Sequence, residues 1–279
     1  MTALARQAAT AAKRAYLEES VMLPADDLAR FENGGAENAR FWERLGGRPS
    51  FEGRSVLDVG SGWGRMATDL GYAGAKRVLG LDIKQELVDF SNANVRLHHP
   101  RLAGRVEFRH RDLRDLDERT RFDVIVSKDS FEHILDLEGM LEAMKRRLKP
   151  GGRIYAGWGP LYPSPYGDHD RREVAFAGLG RVGRVIAAIP WGHLPLESVV
   201  VSLHDERQGK RVSSLRDLGL NGLSISQYRR LIFGSGLVIA DLRVNQSASR
   251  LSHLLSLLAK LPALEDYCVH NVYCVLENR

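Results

Sequence analysis

Residues 56–65 read Val-Leu-Asp-Val-Gly-Ser-Gly-Trp-Gly-Arg, and this stretch decides the fold. Residues of buried-strand character lead into three glycines at alternate positions, and apolar residues then return at helical spacing from Met66. The pattern predicts a strand, a tight turn and a helix. Glycine suits such a turn because it adopts backbone angles closed to other residues and because the missing Cβ lets a ligand approach the main chain. In an open parallel sheet this turn lies at the carboxyl end of the first strand, where such folds bind ligands.

A second glycine-rich stretch shows why the surroundings of the first one matter. Residues 178–183 match the dinucleotide fingerprint letter by letter, but no clear strand precedes them and no βαβ unit follows, so we interpret the match as accidental. The first turn differs because Asp58 precedes it and Asp82 ends a second apolar strand. An acid in the latter place can accept hydrogen bonds from two ribose hydroxyls. Arg65 stands where the dinucleotide pattern has its last glycine, which disfavours a nicotinamide oxidoreductase.

These features resemble the class I S-adenosylmethionine-dependent methyltransferases, closely over residues 51–159 and more loosely at the end of the chain. The resemblance implies that Asp58 faces the ammonium end of the methionine part, that Asp82 holds the ribose, and that Asp112 reaches the adenine amine. It also implies that the cofactor site includes Gly60, Ser61, Gly62, Gly64, Ile83, Leu113 and Ser127. Acids that merely cap the helices after these strands are the alternative interpretation.

The remaining pattern predicts an α/β fold. Strands alternate with helices from residue 55, which favours a doubly wound, Rossmann-like sheet with right-handed crossovers. The resemblance implies seven strands, with an antiparallel last strand between strands five and six, and residues 237–244 and 268–276 suit that closing pair. We predict four parts of the chain: a helical N-terminal cap (1–50), a cofactor-binding core (51–159), a lid insertion (160–223) and the C-terminal part of the core (224–279).

The cap region has a weaker pattern than the core. The first twenty residues lack the continuous apolar stretch of a secretory signal, and we expect a helix that covers the pocket. We expect a short helix to begin at Asp26 or Asp27, a turn at residues 33–35, and further helical character at 36–45.

Composition, net charge and cysteine count indicate which class of protein this is and which partners it is expected to bind. The 279 residues include 44% hydrophobic and 27% charged ones, which describes a globular protein without a membrane-spanning apolar run. The net charge of +5 is a modest excess and does not imply nucleic acid. Cys268 and Cys274 are too few for a disulfide framework, so we expect reduced core thiols and a cytoplasmic location.

The insertion at 160–223 carries eight basic and seven acidic residues, so it offers no electrostatic track for a phosphate backbone. Its aromatic and apolar residues suit a lid over a small-molecule pocket. A lipid contact by the apolar run 182–190 is the alternative. Two of its loops are stiffened by proline and deliver His169 and His193, either of which could bind the acceptor, take its proton, or satisfy a buried carbonyl.

The loop after strand four, residues 127–133, should face the reacting centre. His133 is the first candidate for a general base because an imidazole titrates near neutral pH, and a histidine packed at a helix start is the alternative. Spacing of three and four would place Asp129, Glu132 and His133 on one helical face. This set is similar to the Glu-x-x-Glu-His of some metal-dependent O-methyltransferases, which would imply Mg²⁺ or Mn²⁺, although aspartate replaces the first glutamate and metal-free relatives also carry Glu-His here.

The sequence therefore predicts a methyltransferase that uses S-adenosyl-L-methionine and acts on a small molecule, most simply at the hydroxyl oxygen of a sugar or specialised metabolite. Methylation of nitrogen or carbon, and a catalytically silent cofactor-binding scaffold, are the alternatives. We expect a small-molecule acceptor and no nucleic acid, and a homodimer is left open.

Overall fold

The computed structural model describes residues 23–117, 119–164, 214–247 and 250–279. Seven strands form one sheet in the order β3-β2-β1-β4-β5-β7-β6. Strands β1 to β5 are parallel, and β7 runs antiparallel to both β5 and β6, which confirms the predicted closing pair. The strands are β1 (Ser55–Val59), β2 (Arg77–Asp82), β3 (Val106–His110), β4 (Phe122–Lys128), β5 (Leu148–Trp158), β6 (Val238–Val244) and β7 (Val272–Glu277).

Helices cover both faces of the sheet, and each face has its own apolar cluster. Apolar side chains at helical spacing form a buried stripe on a helix. In α4 (Leu137–Arg147), for example, Leu137, Leu141 and Met144 are buried. The described helices are α1 (Ala25–Arg44), α2 (Arg65–Tyr72), α3 (Gln85–His98), α4 (Leu137–Arg147), α5 (Ile225–Gly234), α6 (Arg250–Leu258) and α7 (Glu265–Cys268). None of the helices in the described ranges is long and apolar enough to cross a membrane.

Helix α1 corrects the prediction of a turn at residues 33–35, because it runs through Gly34 and Gly35 without a break. The reason lies thirty residues away. A Cβ at Gly35 would come within 2.5 Å of the Arg65 guanidinium, and Arg65 donates to the Glu32 carboxylate at 3.2 Å. The two glycines therefore make room for an arginine from α2. The predicted helix over the first twenty residues lies outside the described residues.

Two strand boundaries also differ from the prediction. Strand β5 begins at Leu148, which pairs with Phe122 across an irregularity in β4, so the predicted turn at Pro150 lies inside the strand. Cys268, the predicted start of the last strand, instead ends α7, and the strand begins at Val272. Asp266 in α7 accepts from the backbone N–H and the hydroxyl of Ser226, which ties this segment to α5. Both cysteines are free and buried, as expected.

Candidate active site

The glycine turn after β1 has the backbone that its sequence demands. Gly60, Gly62 and Gly64 have φ angles of 75°, 52° and 79°, in the left-handed region that favours glycine. A Cβ at Gly60 would lie 2.2 Å from the Ser130 hydroxyl oxygen, whereas one at Gly62 would meet nothing within 4 Å. The turn is therefore closed against the loop after β4 at Gly60 and open to a ligand at Gly62.

Asp82, at the end of β2, is held against this turn. Its Oδ2 accepts from the backbone N–H of Gly62 at 2.8 Å, and its Oδ1 accepts from the backbone N–H of Lys84 at 2.9 Å. Each carboxylate oxygen can accept a second hydrogen bond. The acid therefore keeps acceptor capacity for a ligand beside the open glycine.

Asp58 is the buried acid of the site, with 2% of its surface exposed. The backbone N–H of Ala67, in the first turn of α2, lowers the pKa of this carboxyl. Its Oδ2 has no hydrogen-bond partner among the described residues, and the same holds for the hydroxyl of Ser61. Burial and the negative charge of Asp82 raise the pKa of Asp58 to about 7. A buried carboxylate with an unpartnered oxygen fits a cationic ligand group.

Asp112, after β3, lines a pocket of about 410 Å³ together with Ile83, His110, Arg111 and Asp115. The guanidinium of Arg114 donates to both Asp112 oxygens, at 2.9 and 2.7 Å, and lowers the pKa of that carboxyl. Ile83 leaves 73% of its surface exposed in this pocket. A flat ring could lie against Ile83 with its edge toward Asp112.

Leu113 and Ser127, the other two residues that the resemblance assigned, are buried. Ser127 donates to the Val59 carbonyl at 3.0 Å and so joins β4 to the turn. Because β3, β2 and β1 are neighbours in the sheet, Asp112, Asp82 and Asp58 follow one another along its carboxyl edge. The described residues thus fit an elongated ligand with a ring at Asp112, hydroxyls at Asp82 and a cation at Asp58.

The loop after β4 departs from the helix that the spacing predicted. Asp129 has a φ of 51°, unusual for a residue with a side chain, and only Phe131–His133 form a single 3-10 turn. The imidazole Nδ1 of His133 lies 2.9 Å from the Gly219 carbonyl oxygen. Since a carbonyl only accepts, the neutral ring carries its proton on Nδ1 and its lone pair on Nε2.

Glu132 is buried, with 5% of its surface exposed. The sequence suggested it only as one of three metal ligands. Its Oε1 accepts from the Gly159 backbone N–H at 3.2 Å, and Oε2 has no partner in the described parts of the chain. Burial is the main cause that raises the pKa of Glu132 to about 8. The loop after β4 thus holds a second buried carboxyl with a raised pKa.

The three residues considered as metal ligands do not converge. Asp129 pairs with the Lys128 ammonium at 2.7 Å, Glu132 turns inward to Gly159, and His133 bonds to Gly219. Within the described ranges, no group of three His, Cys, Asp or Glu side chains could hold a metal ion. These residues therefore do not fit the Mg²⁺ or Mn²⁺ site; His169 and His193 lie outside the described residues.

A second pocket, of about 360 Å³, was missed by the sequence reasoning. We call it the arginine pocket, and it is lined by Glu37, Arg40, Phe41, Arg44, Lys128, Asp129 and Tyr273. The only sequence signal for it is that residues 37, 40, 41 and 44 share one face of a helix. Tyr273 joins them from the far end of the chain, and no local pattern reveals that contact.

The strand order, with an antiparallel β7 between β5 and β6, defines a Rossmann-like fold of the class I methyltransferase type. Comparisons with known proteins agree. A family described as "Methyltransferase domain" matches residues 56–152. The chain is similar to 27-O-demethylrifamycin SV methyltransferase of Amycolatopsis mediterranei, with 32% identity over 211 residues that span 74% of this chain and 68% of that protein.

Two further proteins show how far the similarity extends. Human mitochondrial ubiquinone biosynthesis O-methyltransferase is 35% identical over 105 residues, 37% of this chain and 28% of that protein. The chain thus spans less than a third of that relative's length. Geranyl diphosphate C-methyltransferase of Streptomyces coelicolor has the same fold, with a TM-score of 0.54 and 17% identity over 91% of this chain and 82% of that one. The chain belongs to the class I S-adenosylmethionine-dependent methyltransferase family.

Proposed function

We propose that this protein transfers the methyl group of S-adenosylmethionine to a hydroxyl oxygen of a small molecule. The observation that carries the proposal is the unpartnered, buried Oδ2 of Asp58 beside the open turn at Gly62. Oxygen as the acceptor atom is supported by the two relatives, whose names both denote O-methylation.

In this proposal, each of the cofactor residues binds a different part of S-adenosylmethionine. Asp58 binds the ammonium end of the methionine part, Asp82 the two ribose hydroxyls, and Asp112 with Ile83 the adenine ring. The glycine turn lets the ligand lie against backbone N–H groups. When bound, S-adenosylmethionine supplies an electron-poor methyl group on a sulfonium.

Positioning carries much of the catalysis in this proposal. An in-line displacement needs the acceptor oxygen held close to and aligned with the methyl carbon, with water excluded. Because a hydroxyl must lose its proton, a base is also needed, and we assign it to Nε2 of His133. His169 and His193 of the insertion remain proposals for holding the acceptor, and the insertion for covering it.

The first experiment is calorimetric titration with S-adenosylmethionine and S-adenosylhomocysteine, with NADH as the control. Binding of the two sulfur ligands and none of NADH is expected; the reverse would refute the proposal. Isotope-labelled methyl transfer to a panel of catechols, sugars and polyketides then tests the acceptor, and product NMR separates O- from N- and C-methylation. Cofactor binding with no transfer to any acceptor would favour the silent scaffold.

Cellular location, nucleic-acid binding and oligomeric state are each tested by a separate measurement. Free thiols at Cys268 and Cys274 support a cytoplasmic location, which cell fractionation tests. A balanced insertion supports the absence of nucleic-acid binding; salt-dependent RNA binding would contradict it. Light scattering of the purified protein measures its mass in solution and so tests for a homodimer.

A further inference from the structure

By strand order, the arginine pocket follows the proposed cofactor contacts along the carboxyl edge of the sheet. The proposed adenine, ribose and methionine contacts follow the ends of β3, β2 and β1, and β4, β5 and β7 come next in the sheet. The pocket spans those next strands. Lys128 and Asp129 end β4, and Tyr273 lies at the start of β7, opposite Gly157 near the end of β5.

The charges of the pocket leave two guanidinium groups available. The Lys128 ammonium is matched by two carboxylates, Glu37 at 3.0 Å and Asp129 at 2.7 Å. Arg40 and Arg44 have no carboxylate partner among the described residues. The five charged side chains that line the pocket, three basic and two acidic, sum to one positive charge. A pocket with this balance is suited to an anion.

Arg44 is held in place by an aromatic side chain and not by an acid. Its Nη1 donates to the Tyr273 hydroxyl at 2.5 Å, and its guanidinium carbon lies 5.4 Å from the centre of that ring. A phenol that accepts from arginine still has its own proton to donate. Arg44 and Tyr273 therefore present several N–H groups and one O–H group to the same space.

A glycine near the end of β5 makes room for this arrangement. A Cβ at Gly157 would lie 2.4 Å from the Tyr273 ring and 3.0 Å from Phe41. Glycine weakens a strand interior and commonly marks a close approach by other groups. The Tyr273 ring rests on this gap, so its hydroxyl is placed by a rigid support.

We propose that Arg44 and Tyr273 bind a carboxylate of the methyl acceptor, so that the substrates are hydroxylated organic acids. The proposal rests on the proposed function. A planar guanidinium binds a carboxylate through two parallel hydrogen bonds, which would orient the acceptor relative to the methyl group. The methionine carboxylate of the cofactor is the other anion near Asp58, and the experiment separates the two sources.

The test uses the protein saturated with S-adenosylhomocysteine and two probes, protocatechuate and catechol, which differ by one carboxylate. Calorimetry should show tighter binding of protocatechuate to the wild-type protein. Arg44→Gln should reduce that preference by about tenfold or more, the usual worth of a hydrogen-bonded charge. Tyr273→Phe should reduce it by less, and Arg44→Lys should restore part of it. Arg96→Gln, which removes a charge from the exposed face of α3, is the matched control and should change nothing.

The contrary outcomes are distinct. Absent or equal binding of the two probes by the wild-type complex would overturn the proposal. So would an Arg44→Gln variant that weakens S-adenosylhomocysteine but not methylthioadenosine, because the missing contact would then be to the cofactor's carboxylate. Failure of the wild-type protein to bind S-adenosylhomocysteine at all would instead refute the proposed function. Retained affinity for that ligand also shows that each variant is folded.

Discussion

The Oδ2 atom of Asp82 accepts a hydrogen bond from the backbone N–H of Gly62 at 2.8 Å. The acid at the end of β2 and the turn after β1 are therefore one unit. The contact places the proposed ribose-binding carboxylate beside the one glycine of the turn at which a Cβ would meet nothing within 4 Å. A change at Asp82 should disturb both the ligand and the turn.

Asp82→Ala is expected to weaken S-adenosylhomocysteine binding by about 2–4 kcal/mol, the loss of two hydrogen bonds to a charged group. Calorimetry measures the change directly. Asp89→Ala, on the exposed side of α3, is the control and should bind normally. An Asp82→Ala affinity within a factor of about two of the wild type, less than half a kcal/mol, would reject the ribose assignment.

The sheet and the acids at its edge were predictable because their signals are local. Each acid lies at or just after the end of an apolar strand, and parallel strands bring their carboxyl ends to one edge. The antiparallel pair at the end of the chain was expected from the family resemblance, and the pairing of β7 with β5 and β6 confirms it.

The features that were missed depend on contacts distant in sequence. Gly34 and Gly35 read as a turn, but Arg65 packs against them in a continuous helix. Arg44 and Tyr273 are 229 residues apart. The spacing of Asp129 and Glu132 suggested a helical face, but the φ of 51° at Asp129 turns the two carboxylates apart. Burial by such tertiary contacts decides the protonation of Glu132, and no sequence period encodes it.

Ligand binding should release a proton from Asp58. Its pKa is raised from 3.8 to about 7, so the carboxyl is mostly neutral below that pH. An ammonium group favours the ionised form, so affinity for S-adenosylhomocysteine should rise with pH up to about 7, by at most about tenfold per unit. Titration in buffers of different ionisation enthalpy measures the proton release.

Asp58→Asn is the matched variant for this linkage. It keeps the size of the side chain and cannot titrate, so its proton release should vanish and its affinity should be lower at every pH. Proton release that persists in Asp58→Asn would assign the linkage to another group.

Two glycines of one turn provide a paired test of sterics. Gly60→Ala should destabilise the protein by about 1–3 kcal/mol more than Gly62→Ala, since both have positive φ but only the Gly60 Cβ would lie 2.2 Å from the Ser130 oxygen. Urea unfolding measures both. Ser130→Ala should recover part of the loss in Gly60→Ala, and no recovery would mean that the clash is not its cause.

His133→Ala should leave S-adenosylhomocysteine affinity unchanged and lower turnover by about 10²–10⁴-fold, the usual contribution of a general base. The Gly219 carbonyl lies 2.9 Å from Nδ1, so we propose Nε2 as the nitrogen that takes the proton. Turnover is measured with whichever acceptor the labelled panel identifies. Near-normal turnover would show that His133 is not the general base. Glu132 and the histidines of the insertion would then be tested.

The stability of the free protein should fall with rising pH because of Glu132. Its pKa rises from 4.5 to about 8 on burial, so the folded state binds one more proton than the unfolded state between those values. Stability contributed by the neutral form is present below pH 4.5 and is lost as pH rises toward 8, by at most about 1.4 kcal/mol per unit. Glu132→Gln lacks this titration, so the variant should gain stability relative to the wild type as pH increases, in urea unfolding at a series of pH values. A difference that stays constant across this range would show that burial does not raise the pKa of Glu132.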